Sequence, residues 1–295
     1  MTSGPGVDAV LRELRFGAVP AAVAAGLGTM AMADGARFRF AVDFDSPERW
    51  PDVPYDTAAP SARHDDSVRP RIASVLDEAA QTMARRAPAA LRLVNGQLQR
   101  VLLRASENAL GGSASHRSHV GCCLLTNLHQ PAEAALVAIE AVTHESIHQL
   151  LYRTELASGN FCDLAPVPTF RSPWSGARLP LHSLVHASFV WFGLLSLWSE
   201  LALAPASDDE AAHARGRIAH CLFGFEFLDD LLDSPAFPAA SVDPQVLEVI
   251  RAMSAAARRA TRAAEPYASL RQVASARQGA GWPAAVATGL ARDER

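Results

Sequence analysis

The sequence predicts an α+β fold, mainly helical and in a single domain, with a small antiparallel sheet packed beside a helix that carries an HExxH motif. A zincin-like arrangement is compatible with that prediction. Three observations lead to it. Of the 295 residues, 49% are hydrophobic and 20% charged, a globular composition able to bury a large core. Several long stretches carry apolar residues at helical spacing. Two short stretches, bounded by Gly, Pro, Ser and Asn, have instead the character of strands.

In chain order, a helix is expected near Val7 to Phe16, then a small-residue segment from Ala18 to Ala33. Arg37 to Phe44 alternates polar and apolar residues as a half-buried strand does, and the four prolines of Ser46 to Pro60 make that stretch a loop. Arg69 to Arg86 and Ala89 to Arg104 have helical spacing and are separated by Pro88. Gly111 to His116 is turn-like and leads into an apolar strand, Ser118 to Asn127. Pro131 suits the first turn of the following helix and Glu133 its positive end. That helix runs from Ala134 to about Thr154. The segment Ala157 to Pro180 is a long proline- and glycine-bearing loop, of the length that marks lids and binding loops. A core helix follows from Leu181 to Ala204, then a charged linker or helix start, and helices at Arg215 to Leu232 and Val246 to Ala264. The one domain thus comprises an N-terminal strand and helical part (1–115), a metal-site core (116–204), C-terminal helices (205–277) and a weakly patterned tail (278–295).

Composition narrows the function classes. The net charge of -4 leaves no basic stripe to neutralise a phosphate backbone, which argues against nucleic acid as a partner. Cys122, Cys123, Cys162 and Cys221 show no CxxC spacing and suit a reducing cytoplasm. Acidic Asp8 and Glu13 occupy what would be the basic region of a signal peptide ahead of Ala18 to Ala33. Leu181 to Ala204 carries His182, His186 and Glu200, which suits a buried core helix better than a membrane span, so no membrane partner is expected.

The chemistry centres on His144-Glu145-Ser146-Ile147-His148. Two imidazoles four residues apart lie one above the other on a helix face and can grip one metal ion. His144, Ile147, His148 and Leu151 form a helical stripe, which predicts that the histidines face the interior. Leu151 and Thr154 stand where the HExxHxxGxxH continuation needs Gly and His, so metzincin chemistry is excluded. Glu155 and Glu200 remain as carboxylates for a gluzincin-type site, though no glutamate-bearing signature marks one. His182 and His186, again four apart, are the better candidates for a third ligand. Glu200 shares the face of His186 but lies ~21 Å further along the helix axis and cannot join the same ion.

VTHESIHQLL, with SPW at Ser172 to Trp174 and RLPLHSLVHASFVW from Arg178 to Trp191, resembles the HExxH-type peptide β-hydroxylases. These are non-haem iron, 2-oxoglutarate-dependent enzymes of ribosomal natural-product pathways. The resemblance covers about Glu133 to Leu203. It implies His144, His148 and His186 as metal ligands, Fe(II) as cofactor, 2-oxoglutarate as cosubstrate and a precursor peptide as substrate. Ser175 replaces the arginine after SPW, Leu179 stands where RPL would begin with arginine, and Ala187 follows His186 where glycine is usual. Arg178 or Arg171, beside Ser172, would then hold the cosubstrate carboxylates, since a guanidinium fork is their natural partner. Three histidines also leave the iron more positively charged than a triad with a carboxylate, unless Glu145 or Asp163 contributes.

The reaction implied is oxidative decarboxylation of 2-oxoglutarate to succinate with hydroxylation of a peptide β-carbon. The proline-bearing loop would shield it, and Trp174, Phe170 and Phe161 would pack against substrate or pin the loop to the core. Two other readings use the same residues. A zinc metallopeptidase would employ Glu145 as general base. A degenerate HExxH domain would bind a peptide without turnover.

Overall fold

The structure, a computed structural model, describes residues 36–45, 63–105, 112–130, 133–164 and 169–263. The helix expected at Val7 to Phe16, the segment Ala18 to Ala33, the loop Ser46 to Pro60, Pro131 and the tail from Ala276 lie outside the described residues. By its contacts the chain divides into two compact units, one spanning 15–153 and one beginning at Thr154. The mainly helical α+β class holds, with six α-helices and two small sheets among the described residues.

The first unit is built on a four-stranded sheet in the order β1-β2-β4-β3, with β1 Ala41–Asp43, β2 Arg100–Arg104, β3 Gly112–Ser115 and β4 Cys122–Thr126. The sheet is mixed: β1, β2 and β4 run parallel, and only β3 is antiparallel to its neighbour. Parallel neighbours need a crossover, which helices α1 (Arg69–Arg86) and α2 (Pro88–Gln97) supply between β1 and β2. Both helices take a proline into their first turn, where its missing N–H costs nothing.

Three expectations are corrected here. The expected helix Ala89 to Arg104 ends at Gln97, and its last residues form β2, whose Val101, Leu102 and Leu103 are buried as a continuous apolar run in a central parallel strand should be. The turn-like Gly111 to His116 contains β3, an edge strand with no large side chain, held by its pairing to β4. The strand expected from Ser118 begins only at Cys122, after Gly121 takes a positive φ of 87°.

Helix α3 (Ala134–Ser158) follows β4. Its Gln149 fixes it to the sheet: Oε1 accepts from the Gly121 N–H at 2.7 Å and Nε2 donates to the Cys122 carbonyl at 3.0 Å. Arg153 donates to the carbonyls of Gly96 and Gln97, occupying orphan acceptors at the end of α2.

In the second unit, β5 (Phe170–Arg171) and β6 (Arg178–Leu179) form a hairpin inside the expected long loop. Through Pro180 it enters α4 (Leu181–Leu201), which packs with α5 (Asp208–Leu232) and α6 (Pro244–Ala263). The charged run after Ala206 is the first turn of α5. Ser207 Oγ accepts from the Glu210 N–H while Glu210 Oε2 accepts from the Ala206 N–H, a reciprocal cap. α4 is long and apolar enough to cross a membrane by length and composition, but most of its apolar window is buried, the placement of the expected core helix.

Trp174 locks the hairpin to this bundle. Its ring is buried, stacks on Trp191 at 5.9 Å, meets Phe225 edge-on at 5.2 Å and donates from Nε1 to the Cys221 carbonyl at 3.1 Å. The approach requires Gly224, because a Cβ there would overlap the indole. Gly224→Ala is therefore expected to destabilise the protein by about 1–3 kcal/mol through overpacking. Urea unfolding measures this; an unchanged midpoint would show that Trp174 does not need that space.

Candidate metal centre

Glu155 lies in the last turn of α3. Gly159, with φ 104°, donates to the Glu155 carbonyl and ends the helix in the left-handed conformation that glycine tolerates. The chain then turns back, and the Phe161 N–H donates to Glu155 Oε1 at 3.0 Å. This turn is fixed in its own right: Cys162 and Val242 form a bridge, Asp163 N donates to Ser241 O and Asp243 N to Phe161 O.

From α4, His182 and His186 present their Nε2 atoms to the same carboxylate. His182 lies 2.9 Å from both carboxylate oxygens, and His186 lies 3.1 Å from Oε2. The two rings are 4.2 Å apart by centroid, as residues four apart on one helix face should be. The side chains of Glu155 and His186 are 0% and 1% exposed, while that of His182 is 21% exposed, so the group is buried on all but the His182 side. Burial raises the Glu155 pKa, but the hydrogen bonds and charges of His182 and His186 outweigh it and hold the carboxyl well below the usual carboxylate range. Phe161 covers the His186 ring at 6.0 Å and packs on Phe189 at 5.8 Å.

These three residues are a buried group able to hold a metal ion, with ligand atoms all within 4.8 Å of one another. Sequence reasoning placed His182 and His186 among the candidates but took Glu155 no further than a carboxylate for a gluzincin site. Local spacing offers no signal for it, because its partners stand 27 and 31 residues further on, on another helix.

His144 and His148 are not members of this group. They are in the first unit, with ring centroids 5.0 Å apart, and His148 stacks on Tyr152 at 6.0 Å. Of the expected interior stripe, Ile147 and Leu151 are fully buried, whereas the histidines are half-buried, His144 with 27% of its side chain exposed. Glu145 is the buried member of the motif. Its Oε1 lies 3.9 Å from His144 Nε2, and its Oε2 has no hydrogen-bond partner among the described residues. Burial, and then the Glu145 charge, push the Cys123 thiol of β4 well up.

The remaining candidates divide sharply. Asp163 is exposed and outside the group. Ser172 is buried and its Oγ accepts from the N–H groups of Trp174 and Ser175, so it shapes the hairpin turn. Phe170 packs on Phe237 at 5.9 Å and, with Trp174, pins the loop to the core. Arg171 and Arg178 face each other across β5 and β6. Arg171 donates to the Gly176 carbonyl and Arg178 to Thr169 Oγ1, and neither forms an ion pair among the described residues.

Cys162 reports on the electrostatics of this centre. Burial first, and then the negative charges of Glu155 and Asp163, push its thiol up to about 12. At about pH 8 only about one molecule in 10⁴ carries the reactive thiolate, so iodoacetamide should spare Cys162 in the native protein and modify it after unfolding. Peptide mapping that found Cys162 alkylated at the rate of a free thiol would contradict this environment.

No protein-family model matches the sequence, and no curated protein matches it significantly, so the functional reading rests on the residues and geometry above.

Proposed function

We propose that the protein is a non-haem iron, 2-oxoglutarate-dependent hydroxylase that acts in the cytoplasm on a β-carbon of a ribosomally made precursor peptide, and that Glu155, His182 and His186 hold its iron. The observation that carries this reading is the donor set. Two imidazoles and one carboxylate are the ligands of the facial triad, which leaves positions open on the metal and is characteristic of non-haem Fe(II) oxygenases. It also supplies the negative charge that a set of three histidines lacks.

The side chains fit that metal chemically. Each imidazole presents one nitrogen to the carboxylate, and Glu155 is already ionised in the acid-depressed state a ligand needs. When bound, iron supplies dioxygen activation coupled to decarboxylation of 2-oxoglutarate. The protein's own groups bind and orient. Glu155 offsets part of the metal's charge and keeps its alignment through the Phe161 N–H. His182, the least buried of the three, lies on the side of the group that reaches solvent.

Arg171 and Arg178 support the cosubstrate assignment. Like charges directly opposite on a hairpin are unfavourable by themselves, and a dicarboxylate would relieve them through charge-assisted hydrogen bonds.

The test is anaerobic loading with Fe(II), then addition of 2-oxoglutarate, oxygen and candidate precursor peptides. The expected outcome is succinate formation with gain of one oxygen atom on a peptide; succinate-free incubations with unmodified peptides would overturn the assignment. Metal titration locates the ligands. Glu155→Ala and His186→Ala are expected to weaken Fe(II) binding by more than the about 10–100-fold that loss of an outer-shell partner costs. If instead His144→Ala and His148→Ala abolish binding while Glu155→Ala retains it, the HExxH pair holds the metal.

A further inference from the structure

A second polar cluster lies in the first unit, at the carboxyl edge of the parallel strands. Phe44 follows β1, Arg104 ends β2, and Asn127 to His129 follow β4. His64, just before α1, packs among them, edge-on to Phe44 at 6.5 Å and to His129 at 5.2 Å. His64 is only 5% exposed. Its Nε2 and the Nδ1 of His129 are buried and have no hydrogen-bond partner among the described residues, while the Arg104 backbone engages His64. Two buried orphan nitrogens on touching imidazoles are a rare and costly arrangement unless something bridges them.

The charges around the pair select what that is. Arg104 is buried, with its guanidinium donating to the carbonyls of Asp43 and Leu103. From α1, Arg69 acts on His64 and Arg71 on His129. The carboxylates of this edge are already committed: Asp43 to Arg100 of β2, Asp65 to the Ser67 N–H, and Asp45 and Asp66 to Arg69, whose charge they offset, so Arg104 and Arg71 are the cations that act on the pair. A cation would meet guanidinium groups here, whereas an anion would meet them with two imidazoles free to donate. The carboxyl edge of parallel strands is also where open α/β sheets hold their ligands.

We propose that His64, His129 and Arg104 form a binding site for a small oxyanion, a carboxylate or a phosphate-like group, whose binding is accompanied by uptake of a proton on the imidazole pair. Burial, the partner ring and the neighbouring arginines keep both imidazoles below the usual histidine range when nothing is bound. An anion reverses the balance of charge. Binding must then tighten as pH falls, by up to about tenfold per pH unit for each proton taken up.

Isothermal titration of the full chain with sulfate and with acetate, at about pH 6 and about pH 8, tests this, because neither probe changes charge over that range. Expected is saturable binding, about tenfold or more tighter at the lower pH, with the ring-proton NMR resonances of His64 and His129 moving as they protonate. A preference for sulfate assigns the phosphate class and a preference for acetate the carboxylate class. His64→Gln and His129→Gln should each weaken binding at least about tenfold, while His116→Gln, at the opposite edge of the same strands, should leave it unchanged. The wild-type titrations decide the matter even if a variant fails to fold. Equal affinity at both pH values, motionless resonances, or Zn²⁺ binding that disappears in both variants would overturn the proposal.

Discussion

The buried carboxylate of Glu155 is the interaction on which the second unit is arranged. A charge removed from water is tolerated only when its oxygens are fully engaged, because its solvation must be replaced in place. Here the replacements come from two directions: the Phe161 N–H on the returning chain, and His182 and His186 one turn apart on α4. The bridge between Cys162 and Val242 then ties that returning chain to the start of α6. His186, with 1% of its side chain exposed, is a buried polar group that meets this carboxylate through Nε2. The demand for pairing therefore builds a compact set of donors and, by the same geometry, a place for a metal.

Much of this was legible in the sequence, and what was not has physical causes. Period and punctuation gave α1 to the residue, α4 nearly so, and α3 with its HExxH, because long periodic stretches bounded by proline or glycine leave little freedom. β2 was absorbed into a helix because Val101, Leu102 and Leu103 form a short apolar run, which periodicity alone cannot assign. β3 could not be seen because its Gly-Ser-Ala-Ser residues have no apolar pattern and owe their conformation to β4. At the site, the four-residue spacing of His182 and His186 is enough to put both rings on one helix face. The partner that organises them, Glu155, was underweighted because nothing in its immediate neighbours marks a glutamate as buried.

The SPW segment shows why a motif does not announce its role. Trp174 is spent on the bundle, and the cost of that commitment is visible in Gly224, which must lack a side chain for the indole to fit. Ser172 uses its hydroxyl on the turn itself. The outcome is a short hairpin leading into α4, across which Arg171 and Arg178 stand opposite each other. Aromatic packing and a side-chain-capped turn thus hold the register in which Arg171 and Arg178 pair across the hairpin.

Histidine pairs occur in both units, and their surroundings give them opposite chemistry. His182 and His186 converge on a carboxylate, so the local field is negative and favours a cation. Among the described residues His64 and His129 have no such carboxylate partner, and Arg104 and Arg71 act on them, so the local field is positive and favours an anion. The imidazole itself is indifferent: neutral, it offers a lone pair to a metal, and protonated, it offers two donors to an oxyanion. What decides is the sign of the nearest fixed charge that a salt bridge has not already consumed. Asp43 and Asp45 could have turned the second pair toward a metal, but Arg100 and Arg69 have claimed them.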